Sequence, residues 1–209
     1  MLDEDVGILG GTFDPIHNGH LALARCAKDE LGLSHVLFMP TGNPNFKQGQ
    51  EIAPASERVR MVELAIEGQE GFSLDCREVE REGVTYTVDT LEELSLERPG
   101  ARLYFILGAD SACSLVHWKG APRLAELACF VVAARPGVDV ARVKKAHAES
   151  PVRFDLRFID APQLPVSSTE LRGRIAAGED VSGELPAAVL DYIRSEGLYG
   201  CPVARQGGK

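Results

Sequence analysis

The sequence predicts an α/β fold, with a Rossmann-like, mainly parallel sheet and helices on both faces. Three observations carry that expectation. Short apolar runs alternate with segments of helical spacing along most of the chain. One run, Arg102-Leu103-Tyr104-Phe105-Ile106-Leu107, is nearly continuous, as a central parallel strand covered on both faces should be. And the first run, Val6-Gly7-Ile8-Leu9, ends in a glycine pair, turns through a Pro-containing loop and enters a helix at Asn18-Gly19-His20.

That first unit suits an anion. Gly10 and Gly11 have no side chain to hold a phosphate away from the backbone. The first-turn N–H groups of the following helix lack internal partners and lie at the positive end of its dipole. His17 and His20 are three residues apart, so both imidazoles fall on one side of the helix entrance and can donate to phosphate oxygens. Other readings of the same residues are a plain tight turn or half a metal site. No His-Glu-x-x-His pattern is present, and the cysteines are scattered. Neither the Gly-x-Gly-x-x-Gly dinucleotide fingerprint nor a Gly-Lys-Ser/Thr loop occurs there.

Composition narrows the class. A chain of 209 residues with 44% hydrophobic and 25% charged residues builds one good-sized core, expected as a single domain over 1–200 with a frayed tail at 201–209. A net charge of −9 argues against a nucleic-acid partner read through a broad basic surface, while leaving room for a small anionic ligand. The five cysteines are odd in number and widely spaced, which suits free thiols in a reducing cytoplasm. No signal peptide is expected in the acidic stretch Met1–Asp5, and no apolar run is long enough to span a membrane.

Taken in order, His35–Met39 is a second strand ended by Pro40, and the polar stretch Thr41–Gln50 is a loop. A helix begins near Ser56, its stripe including Arg58, Met61, Val62 and Ala65. Phe72-Ser73-Leu74 is a short strand. Thr85-Tyr86-Thr87 precedes a helix through Leu96, with Thr87 a candidate N-cap.

The central strand runs into Gly108-Ala109-Asp110, beyond the carboxyl end where doubly wound sheets bind ligands. Asp110 there is either a ribose partner or a helix N-cap. Trp118, the single tryptophan, is either core or an aromatic face in a loop able to stack on a cationic ring, worth roughly 0.5–2 kcal/mol. Ala128–Ala134 is a further buried strand, followed by Arg135-Pro136-Gly137 and an exposed, charged helix over Val140–Glu149. Phe154–Ile159 alternates as a strand. Ser167 or Ser168 then caps a helix carrying Thr169 and Arg172 in its first turns, a second cradle for phosphate or simply a capping box with a solvated arginine. A last helix starts near Pro186 and closes at Gly197.

The string Gly11-Thr12-Phe13-Asp14-Pro15-Ile16-His17-Asn18-Gly19-His20 resembles the signature of the His-x-Gly-His nucleotidyltransferases. Across residues 6–200 the chain resembles the bacterial nicotinate-mononucleotide adenylyltransferases within that superfamily. The matching segments are Thr85-Tyr86-Thr87, Trp118, Arg135-Pro136-Gly137, Val166–Arg172 and the ending Leu185-Pro186 to Leu198-Tyr199.

The resemblance implies transfer of the adenylyl group of ATP to nicotinate mononucleotide, giving deamido-NAD and pyrophosphate. It implies catalytic roles for His17, His20 and Arg172, and ATP contacts from Gly10, Gly11, Thr12, Phe13, Lys47, Gly108, Asp110, Ser168 and Thr169. It implies mononucleotide contacts from Thr87, Trp118 and Arg135, and Mg²⁺ held mainly through the ATP phosphates, with no protein ligand set.

The sequence departs from the family in one loop, having Asn45-Phe46 before Lys47 where Pro-His is usual; Lys47 is then a phosphate contact or a solvated loop lysine. Arg135 faces the nucleotide or pairs with a carboxylate. Other readings are a sister transferase acting on nicotinamide mononucleotide or phosphopantetheine, and a catalytically idle nucleotide-binding regulator. No membrane partner is expected, and the oligomeric state, a homo-oligomer included, is left open.

Overall fold

The computed structural model describes residues 5–42, 52–133, 140–161 and 166–201. The expectations for Lys47, for Asn45-Phe46, for Arg135 and for the tail after Cys201 lie outside the described residues.

The chain runs β1 (Asp5–Gly11), α1 (Asn18–Leu31), β2 (His35–Pro40), α2 (Ala55–Ile66), β3 (Phe72–Leu74), α3 (Arg77–Glu80) and α4 (Thr87–Glu97). It continues through β4 (Arg102–Gly108), α5 (Ala109–Ser114), α6 (Ala121–Leu127), β5 (Ala128–Ala133), α7 (Val140–Ala148), β6 (Leu156–Ile159), α8 (Ser168–Ala176) and α9 (Ala187–Glu196). Among the described residues six strands form one sheet in the order β3-β2-β1-β4-β5-β6, each pairing parallel. The chain fills one half of the sheet outward from β1, then returns to the centre and fills the other half. β1 and β4 therefore flank the switch point, where ligands bind beyond the carboxyl ends of the strands.

Alternation within each strand sends side chains to both faces, which is why the strands read as continuous apolar runs. Leu9, Phe38, Ile106 and Val131 pack one way, against Leu21 of α1, Met61 of α2, Leu171 of α8 and Ile193 of α9. Ile8, Met39, Phe105, Leu107 and Phe130 pack the other way, against Leu91 of α4, Ala112 of α5, Leu124 of α6 and Val143 of α7. Helices thus cover both faces, as predicted.

Two local expectations change, and three short helices are added. α3, α5 and α6, at four, six and seven residues, are too short for helical periodicity to register in sequence. The cap of α4 is Tyr86, placing Thr87 at the first helical position. α7 is less exposed than its charge suggests, because Val143 is buried and the buried His147 Nε2 meets the Ala112 carbonyl of α5 at 2.9 Å.

Candidate active site

The glycine pair ends β1 beside β4. A Cβ added at Gly10 would stand 3.3 Å from the Phe105 ring, a tight contact that the bare glycine backbone avoids. The chain then turns through Phe13, buried with φ of +49°, and the cis Asp14-Pro15 bond into α1.

His17 is the N-cap of α1 and His20 its third residue. The His17 N–H donates to His20 Nδ1 at 3.2 Å, and the two rings stack with centroids 3.7 Å apart. With Nδ1 accepting, the neutral His20 ring carries its proton on Nε2. Phe13 meets the His20 ring edge-on at 5.0 Å, which fixes the ring from behind. His17 is buried and His20 half-buried.

The second predicted cradle lies directly against the first. Ser167 caps α8, its hydroxyl accepting from the Glu170 N–H at 3.2 Å, while the N–H groups of Ser168 and Thr169 stand at the helix mouth with no intrahelical acceptor. The Ser168 hydroxyl donates to the Pro15 carbonyl at 3.0 Å, and Arg172 Nη1 donates to the Asp14 carbonyl at 2.7 Å. A Cβ at Gly19 would meet both the His17 ring and the Val166 side chain at 3.0 Å, so a glycine there lets the two segments pack closely. Two helix N-termini that are 150 residues apart in sequence thus open onto one place, with two imidazoles and a guanidinium beside them.

One further charge holds the loops below this mouth. Arg58 of α2 is 1% exposed and donates to four carbonyls: Nε to Ala53, Nη1 to Thr12 and Thr41, and Nη2 to Gly42, at 2.8 to 3.1 Å. Burial pulls its pKa below the usual arginine value, and the nearby Asp14 carboxylate opposes that pull. The helical stripe in the sequence places Arg58 inward, but gives no sign that it ties the β1 turn to the β2 loop.

Two of the predicted mononucleotide residues, Thr87 and Trp118, lie near each other on the other face. Trp118 packs edge-on against Phe105 with centroids 6.1 Å apart, and its Nε1 donates to Ser114 Oγ at 3.3 Å. Lys119 Nζ stands 3.7 Å over the ring of Tyr86, the residue before Thr87, and Gly120 abuts Val88. Trp118 and Thr87 therefore belong to one patch, separated from Gly10 by the Phe105 ring. Trp118 is half-buried, partly core and partly surface.

Gly108 caps α5, and Asp110, in the first turn, is largely exposed and accepts from Arg142 Nη2 at 2.7 Å. The N-cap alternative for Asp110 is thereby replaced by an ion pair with α7. Asp14 and Tyr199, hydrogen-bonded at 2.8 Å beneath Arg172, were not singled out by the sequence reading. The His-x-Gly-His string contains Asp14, but a partner 185 positions away leaves no local signal.

Among the described residues no group of three or more His, Cys, Asp or Glu side chains is arranged to hold a metal, no helix is long and apolar enough to cross a membrane, and no disulfide joins the cysteines.

The cytidylyltransferase-like family model matches residues 8–174. A relative from Moorella thermoacetica named "Probable nicotinate-nucleotide adenylyltransferase" is 41% identical over 197 residues, covering 93% of this chain and 91% of that protein. One of the same name from Dehalococcoides mccartyi is 41% identical over 201 residues, covering 95% and 98%. Among solved structures, the Plasmodium falciparum nicotinic acid mononucleotide adenylyltransferase complexed with NaAD superposes with a TM-score of 0.76 at 22% identity. It covers 96% of this chain and 100% of that one, a likeness of fold.

Proposed function

The chain belongs to the cytidylyltransferase-like family, and from that premise we propose that it is an adenylyltransferase joining nicotinate mononucleotide to the AMP moiety of ATP. The observation that carries this reading is the meeting of the α1 and α8 entrances, lined by His17, His20 and Arg172, one Phe105 ring away from the Trp118 patch. Relatives at about 40% identity over nearly the whole chain bear the same activity in their names.

In this reaction an oxygen of the mononucleotide's 5′-phosphate attacks the α-phosphorus of ATP. The new P–O bond forms as the bond to the β-phosphate oxygen breaks, and pyrophosphate leaves with that electron pair. The attacking oxygen is already an anion, so no protein nucleophile or base is needed. Catalysis is positioning and neutralisation of developing charge.

His17 and His20 serve the ATP phosphates, beside the backbone of Gly10, Gly11, Thr12 and Phe13. Arg172 and the N–H groups of Ser168 and Thr169 hold the leaving pyrophosphate, with Lys47 a further candidate from its loop. The Ser168 hydroxyl already donates to Pro15, which supports its backbone rather than its side chain as the phosphate donor. Gly108 and Asp110 serve the ATP nucleoside, Thr87 and Trp118 the nicotinate end, and Arg135 the mononucleotide. Mg²⁺ would arrive with ATP, held mainly by its phosphate oxygens and water, and would screen their charge.

The experiment is pyrophosphate release with ATP and Mg²⁺, comparing nicotinate mononucleotide, nicotinamide mononucleotide and phosphopantetheine. A marked preference for nicotinate mononucleotide is expected. Preference for another acceptor would overturn the substrate, and release with none would overturn the activity in favour of a nucleotide-binding regulator.

A further inference from the structure

Asp14 is 1% exposed. Its Oδ1 accepts from the Tyr199 hydroxyl at 2.8 Å and from the Ala53 N–H at 3.2 Å. Its Oδ2 is buried and has no hydrogen bond, and Arg172 Nη1 lies 3.5 Å away. That same Nη1 donates to the Asp14 carbonyl at 2.7 Å, so side chain and backbone of one residue grip one edge of the guanidinium. Arg172 Nη2 turns the other way, to Thr169 Oγ1 at 3.4 Å. Arg172 lines a cleft of about 510 Å³ together with Ile52, Ala53, Leu198, Tyr199 and Gly200.

Tyr199 itself is held in a conformation that side chains rarely adopt, with φ of +59° and ψ of +27°. Burial and the adjoining Asp14 carboxylate push its phenol well above the ordinary tyrosine pKa, so it stays a proton donor.

We propose that Tyr199 and Asp14 are positioning residues for the transfer: Tyr199 orients the Asp14 carboxylate, and Asp14 holds the inner edge of Arg172 so that its outer edge faces the leaving pyrophosphate. The C-terminal turn is on this view a working wall of the site. The inference rests on the reading of Arg172 given above. An arginine on a long flexible stem loses much of its electrostatic value if it must be ordered during the reaction, and a buried carboxylate beside it, with Arg58 also nearby, removes that freedom beforehand.

The test is a double-mutant cycle on the full chain, with kcat and KM from pyrophosphate release and folding checked by near-ultraviolet circular dichroism. Tyr199→Phe removes one hydroxyl and is expected to lower kcat about tenfold, the scale of a lost hydrogen bond to a charged group. The KM for nicotinate mononucleotide should stay within about twofold, since that substrate binds elsewhere. In an Arg172→Ala background the same change should cost less than about twofold, because nothing remains to be positioned.

Asp14→Asn keeps an acceptor for Tyr199 but loses the charge facing Arg172, and should behave like Tyr199→Phe. It decides the question if the phenylalanine variant does not fold. Full kcat in Tyr199→Phe beside a crippled Arg172→Ala overturns the positioning role alone. So does an equal loss in both backgrounds, which is what a merely structural hydroxyl would give. Full activity in Arg172→Ala overturns the reading of Arg172 and the positioning role with it.

Discussion

Replacing Arg58 with Met exchanges a buried cation for an apolar chain of similar reach. Four carbonyls, those of Thr12, Thr41, Gly42 and Ala53, lose their donor. A buried acceptor left without a partner costs about 1–3 kcal/mol. Desolvation of the guanidinium works against the native arrangement and is relieved by the change. Water reaching the half-buried edge of the loops relieves some of the rest.

The net expectation is a loss of about 3–4 kcal/mol, a large part of the roughly 5–15 kcal/mol that holds a domain together. At about 2–4 °C per kcal/mol for a chain of this size, the melting temperature falls by roughly 6–16 °C. Urea unfolding followed by circular dichroism measures it, with Arg58→Lys as the control. Lysine keeps the charge but reaches only one or two of the four acceptors, so its loss should be about half. Because Arg58 also ties Thr12 to Thr41, the folded Met variant should release pyrophosphate more slowly at a temperature where it is native. A midpoint shift corresponding to less than about 1 kcal/mol for Arg58→Met would refute the claim that these four bonds hold the loops.

The remaining expectations are smaller in scope. His20→Ala should lower kcat by about two to three orders of magnitude while moving the melting temperature by only a few degrees; near-normal turnover in a folded variant would remove His20 from the chemistry. Gly19→Ala drives a methyl into the His17 ring and Val166, so turnover should fall about tenfold, with a stability loss of about 1–3 kcal/mol in the same preparation. Trp118→Ala should raise the KM for nicotinate mononucleotide about 2- to 30-fold and leave the KM for ATP unchanged, a comparison that fails if both rise together.

Burial, reinforced by Asp155, pushes the Cys129 thiol from 9.0 up to about 12. The folded pKa lies above the unfolded one, so this group's contribution to stability is complete below pH 9 and is lost as pH climbs from 9 towards 12. Denaturant midpoints at pH 8 and pH 10.5 should fall more in the wild type than in Cys129→Ala.

Much of the architecture was legible because its signals are local. A strand buried on both faces is an uninterrupted apolar run, as Arg102–Leu107 shows, and a glycine-terminated strand followed by a capped helix declares its own geometry. The stacking of His17 on His20 follows from their spacing of three on one helix. The contacts that bring Thr87 and Trp118 into one patch are tertiary: Tyr86 under Lys119, Val88 against Gly120, Phe105 behind the indole. No periodicity encodes them. Arg58 shows the limit most plainly, since its position in the stripe predicts burial while its four acceptors come from three separate turns. Asp110 was expected at the right strand end, and its pairing with Arg142 needed α7 to be placed first.

The wide sequence separation of the two cradles also orders events during synthesis. β1 and α1 leave the ribosome early, yet the residues that close over them, Ser168, Arg172 and Tyr199, lie 153, 158 and 185 positions after their partners in the first turn. At roughly 5–20 residues per second, some ~10–40 s separate the emergence of Asp14 from that of Tyr199. For that interval the nascent chain holds a buried-type carboxylate and a pair of imidazoles with nothing above them. Contacts of such long range are also the slowest kind to form. Arg172 and Tyr199 are therefore among the last parts of this wall of the site to emerge, and a chain stopped before residue 166 would carry all the described strands without Arg172.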